Sequence, residues 1–214
     1  MKKNLHKHFG ISLLILFLIV GLYSVGENAF AVTNAVVVSL QVDSGISIST
    51  GAAVTMAPNM GIAANGSIGS SAWTVITNGF QGYSLSVHDS TDPALKNGVV
   101  DSFANYTEGT PGTPEQPWTV GSPAKEFGFS AYGTDTATAT WGLALSCGTA
   151  GAPSITQKYM GFPATPTDKI IATRATVTPV AGITTTICFA AQQVGVFAAS
   201  GAYTATITGT AVTL

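Results

Sequence analysis

Charge is what this sequence has least of. Asp, Glu, Lys and Arg make up 8% of its 214 residues, where a soluble domain carries about 25%. With 8 Lys and Arg against 10 Asp and Glu, there is no basic stripe to neutralise phosphates, which excludes a nucleic-acid binder. The same shortage excludes a charge-swollen disordered chain and a coiled coil with charged flanks. Sustained helical periodicity is missing too, so helices are not expected to build the fold. Histidine and cysteine number 3 and 2, too few ligands in too scattered an arrangement for a zinc site. No cofactor is expected. Thr, Ser, Gly and Ala take the place of the missing charge, beside an ordinary hydrophobic share of 46%.

The N-terminus reads as an export signal. Lys2, Lys3 and Lys7 precede an apolar run from Phe9 to Tyr23, followed by Ser24, Gly26, Glu27 and Asn28 and then Ala29-Phe30-Ala31. A charged start, a short apolar stretch and an A-x-A site predict a cleavable signal helix over residues 1–31 and a single domain over 32–214. A spanning helix needs about 20 apolar residues. The run is shorter, so an uncleaved anchor is the alternative, and no membrane span is expected in the mature chain. Gly10 ahead of the run invites comparison with a type IV pilin leader, but the acidic residue expected early in the apolar stretch is absent. Cleavage removes three lysines and Glu27 and leaves a chain more acidic than the −2 of the whole. The expected location is secreted, extracellular or at the cell surface. In such a compartment Cys147 and Cys188 are expected to pair. The loop they close spans about 41 residues, worth roughly 4 kcal/mol in the chain-entropy model.

The mature chain reads as strands. From Ala137 to Cys147, apolar Ala137, Ala139, Trp141, Leu143 and Leu145 alternate with Thr138, Thr140, Ala144 and Ser146, and alternation puts one set on each face of a strand. The same pattern places Val36, Val38, Leu40, Val42, Ile46 and Ile48 on one face, and Tyr83, Leu85 and Val87 on another. β-Branched Thr suits strands. In the last segment the apolar parity switches across Gly209, which predicts a bulge there. Around Cys188 both parities are apolar, so that strand is either buried on both faces or bulged. Asn78-Gly79 predicts a hairpin turn. The stretch from Gly109 to Pro123 is a Pro- and Gly-rich loop. Closely spaced strands with no helices between them predict an all-β, antiparallel β-sandwich of Greek-key or jelly-roll type.

Three Trp-x-aliphatic triplets recur: Trp73-Thr74-Val75, Trp118-Thr119-Val120 and Trp141-Gly142-Leu143. On these, and on the closing Tyr203 to Thr208 segment, the chain resembles WxL-type bacterial surface proteins, which are exported and rich in Thr and strands. The resemblance implies wall association without covalent sorting, and no LPxTG-like signal is present. The chain also resembles bacterial fimbrial subunits in its low charge, expected sandwich and single cysteine pair. That likeness implies a donated strand, for which Val36–Val42 is the candidate. The cysteine pair lies in the C-terminal half, however, and Thr213 stands where such subunits carry a penultimate Tyr.

Site chemistry is sparse. His88 is followed by Asp89, but neighbours on a strand point to opposite faces, so Asp89 does not orient it as in a triad. No G-x-S-x-G elbow is present. Asp89, Asp92 and Asp101 fall in one region whose oxygens suit Ca²⁺. Glu115 and Glu126 flank the Pro-rich loop without forming an arguable glycosidase pair. Trp118 is the leading candidate for a ligand-binding aromatic, with Tyr106 and Tyr132. The expected function is a structural or assembly subunit without catalytic activity, whose partners are further copies or other surface proteins. A module binding cell-wall polysaccharide is the alternative. Support for assembly lies in the terminal strands: no Lys or Arg occurs between Ala31 and Lys96 or after Arg174, so the edges lack the charges that guard monomeric sheets.

Overall fold

The computed structural model describes residues 36–163 and 167–214. The expected signal peptide, 1–31, lies outside the described residues. The chain divides into a unit over 1–42 and a compact unit over 43–214. In the first, residues 36–42 form no regular element, and Val36, Val38, Leu40 and Val42 are all more than 70% exposed. Of the strand expected from Val36 to Ile48, only Ile46–Ile48 pairs.

In the second unit the order is β1 (Ile46–Ile48), β2 (Gly66–Thr77), β3 (Tyr83–Asp89), β4 (Leu95–Asn97), β5 (Asp101–Asn105), β6 (Ala124–Gly133), a helical turn α1 (Thr138–Trp141), β7 (Gly148–Thr149), β8 (Ala152–Pro153), β9 (Lys169–Arg174), β10 (Ile183–Val194) and β11 (Ile207–Thr213). The all-β expectation holds. One sheet runs β1-β2-β10-β6-β5-β4, a second β11-β3-β9, and β7 and β8 form a small hairpin. The pairing is antiparallel except between β5 and β6, which run parallel over Ala104↔Glu126 and Asn105↔Phe127. The large sheet is therefore mixed rather than purely antiparallel.

The two sheets share one apolar core. Trp73, Val75, Phe127, Phe129, Ile187 and Phe189 contribute from the large sheet, and Leu85, Val87 and Ile171 from the small one. Trp73 sits between two glycines. A Cβ on Gly51 would stand 2.6 Å from the indole nitrogen, and one on Gly209 would stand 3.1 Å from the ring. Gly209 is thus a point of close packing and not the bulge expected there. The β11–β3 register runs unbroken from Ile207↔Asp89 to Thr213↔Tyr83. The irregularity lies on the other side of β3, between Leu85 and Ser86 where it pairs with β9. The parity switch is settled by exposure: Val212 and Leu214 are about half exposed.

Two other expectations change, and one alternative left open is resolved. Asn78-Gly79 does not close a hairpin, because β2 and β3 belong to different sheets. The turn is an arch, and Asn78 accepts from the Gly45 N–H at 2.6 Å and donates to the Asp43 carbonyl at 2.8 Å. Gly82 ends the arch at φ +81, where a Cβ would stand 2.0 Å from the Arg174 carbonyl oxygen. The strand expected over Ala137–Cys147 is replaced by α1 and an irregular run, with Trp141 buried and Leu143 and Leu145 exposed. Tertiary packing of one residue, Trp141, outweighs the strand preference of the whole segment. The alternatives left open at Cys188 resolve to burial on both faces: Ile187, Phe189 and Ala191 join the main core, while Cys188 and Ala190 join a second cluster on the outer face.

Candidate functional site

The outer face of the large sheet carries most of the residues singled out from sequence. β10 and β6 alternate side chains, so Cys188, Ala190 and Gln192 share that face with Gly128 and Glu126 across the ladder. The Pro-rich loop and the segment after α1 lie over it. Cys147 is bonded to Cys188, as expected, which fastens the covering segment to the middle of β10.

Trp118 is the plug of this layer. Its ring stacks on Tyr106 at 4.2 Å and meets Tyr159 edge-on at 5.3 Å. Its indole N–H donates to Gln192 Oε1 at 2.6 Å. The six-membered ring crosses the backbone at Gly128, where a Cβ would stand 3.0 Å from it. Tyr106 is buried, not exposed. Its hydroxyl donates to Glu115 Oε1 at 3.2 Å and accepts from the Thr119 N–H at 3.3 Å, and burial pushes that hydroxyl up to about 12. Tyr132 packs half-buried against the same cluster. The three expected ligand aromatics therefore share one cluster, in which Tyr106 and Trp118 are stacked on each other. Trp118 alone also lines an open cleft, of about 490 Å³, with Pro58, Gly66, Gly151, Ile155 and Gln192.

The acidic trio is not gathered into one cage. Asp89 is fully buried. Asp92 accepts from Asn105 Nδ2 at 3.0 Å. Asp101 ties β5 to the chain before β11: it pairs with Lys125, accepts from the Tyr203 hydroxyl at 2.5 Å and from the Ala199 N–H at 2.8 Å. Among the described residues no group of three His, Cys, Asp or Glu is placed to hold a metal ion.

Those partners, Lys125 first, hold the Asp101 carboxyl well below the usual carboxylate range. A depressed pKa in the folded state adds stability that is complete above the unfolded value near 3.9 and is lost as pH falls through the folded one. Asp101→Asn is therefore expected to lower the urea midpoint at neutral pH and to flatten its decline below about pH 4. Midpoints of both proteins across acid pH check this; parallel curves would contradict it. Glu126 is displaced in the opposite direction, raised mainly by burial with Glu108 adding to it.

His88 has a partner that sequence reasoning missed. Its Nδ1 lies 2.8 Å from Asp168 Oδ1, across 80 residues of chain. Ser86, two positions back on β3 and so on the same face, donates its hydroxyl to the other Asp168 oxygen at 3.1 Å. Ser and His thus converge on one carboxylate. In a nucleophilic triad the hydroxyl gives its hydrogen to the imidazole instead. Gln192 was also missed, since an amide at a strand end carries no sequence signal.

Comparison of the chain with family models, curated proteins and solved structures finds no match.

Proposed function

We propose that the chain is an exported surface subunit without catalytic activity, which works by associating with copies of itself or with other surface proteins through strand addition. The observation that carries this reading is the exposure of Val36, Val38, Leu40 and Val42. These side chains alternate as in a half-buried strand, yet residues 36–42 are in no strand. An apolar, alternating and uncharged segment is the form in which a chain adds to a sheet edge: main-chain hydrogen bonds bind it and alternate side chains fill pockets. Retention at a wall or surface is then noncovalent. The nearly all-β architecture, with its mixed large sheet, supports the role; a sandwich of Greek-key or jelly-roll type is part of the same proposal.

Size-exclusion chromatography and electron microscopy of concentrated protein test the reading. Assemblies are expected, and Val38→Asp with Leu40→Asp is expected to weaken self-association by at least about tenfold while leaving the fold intact. Wild-type protein that stays monomeric and dispersed at high concentration would sink it.

A further inference from the structure

The outer-face cleft is built more firmly than the packing of two sheets requires. Its volume, about 490 Å³, falls within the roughly 300–1,000 Å³ of small-molecule sites. Its floor is a crossing of glycines. A Cβ on Gly66 would stand 2.6 Å from the Gly151 carbonyl oxygen, and one on Gly151 would stand 2.5 Å from that of Gly66. One wall is the β7–β8 hairpin, held down through Cys147. The other is Pro117 and Trp118, with the indole fixed by its stack on Tyr106. Among the described residues no Asp, Glu, Lys, Arg or His lines the cleft.

Two further observations point to a ligand. Gln192 Oε1 is occupied by the Trp118 indole N–H. That contact sets the orientation of the amide, so Nε2, with two hydrogens to donate, is what Gln192 has left to offer in the cleft it lines. On the rim, Ala150 holds φ +50, a conformation that costs a non-glycine residue energy and persists where its surroundings dictate it.

We propose that this cleft binds an uncharged sugar carrying an acetamido group. The acetamido carbonyl accepts a hydrogen bond from Gln192 Nε2. The methyl group and the ring's C–H face pack against the exposed part of Trp118 and the rings of Pro58 and Pro117. A charged ligand would be buried there without a partner. A proline-rich peptide is the competing occupant, but it needs an extended groove with several aromatic ridges, and a single indole lines this one.

The test is a titration of the oxidised chain with N-acetylglucosamine and its trimer, followed by NMR. Saturable shifts are expected at the Trp118 indole N–H, the Gln192 side-chain amide and the Ala150 and Gly151 amides, with a dissociation constant of about 1 mM or tighter. Gln192→Ala is expected to weaken binding at least tenfold. Ala152→Phe, a substitution at an exposed cleft position, is expected to abolish it by filling the space. Resonances of the core serve as the control for folding in both variants. The proposal is overturned by the absence of saturable shifts with either sugar, by shifts that survive both substitutions, by an equal response to glucose and its trimer, or by a response to hexaproline alone. None of these outcomes depends on whether the chain assembles.

Discussion

Replacing Cys147 and Cys188 together by alanine is expected to lower the unfolding free energy by about 4 kcal/mol, to be checked by urea denaturation against the oxidised protein. The bridge joins residues 41 apart, and the loss is the entropy that an unbridged loop of that length regains when the chain unfolds. Against a typical total of about 5–15 kcal/mol, this is a large share. The loss also has a location. Cys188 belongs to the outer cluster with Tyr106, Val120 and Tyr159, not to the main core. Hydrogen exchange in the substituted protein should therefore rise first in residues 143–160, while β2, β6 and β10 keep their protection. A loss below about 1 kcal/mol, or uniform deprotection, would show that the covering layer holds without the bridge.

The second large effect separates two residues of one triplet. Trp141→Ala is expected to cost about 3–5 kcal/mol, and Leu143→Ala less than about 0.5 kcal/mol. Trp141 is 1% exposed and packs at 5.4 Å on Phe129, with the Lys169 ammonium 6.0 Å from its ring. Leu143 is 77% exposed. Between them, Gly142 turns the chain at φ +93, where a Cβ would stand 2.2 Å from the Thr156 carbonyl oxygen. On a strand the two side chains would share a face and a similar cost. Thermal or urea unfolding of the two variants discriminates, and equal losses would restore the strand.

What sequence reveals here depends on the range of the forces involved. The strand character of β3 and β10 was legible because alternation and β-branching act within a few residues. The Cys147–Cys188 pair was legible because only one pairing exists. Residues 137–147 misled for the same local reason: their alternation was the cleanest in the chain, but one indole finding a place beside Phe129 decided the backbone. The bulge drawn at Gly209 failed because the glycine answers to Trp73, a residue of another sheet. At the candidate site Trp118 was legible as an aromatic in a Pro-rich loop. Tyr106 was named beside it, but the stack the two rings form, and the partners Tyr159 and Gln192, were not legible, since they meet only once β10 and β6 are side by side. Asp168 beside His88 is the same case across a longer span.

β10 lies between β2 and β6, and its contact with β2 joins Thr74 to Thr184 across 110 residues. A chain made from its N-terminus therefore holds β2, and later β6, without the strand that unites them until Ile183–Val194 has been made. Bringing such distant segments together costs loop entropy before any ladder forms, which slows folding. The β1–β2 pair and the β4–β5–β6 group can form earlier, but the largest sheet becomes one sheet only after residue 194 has emerged to join them.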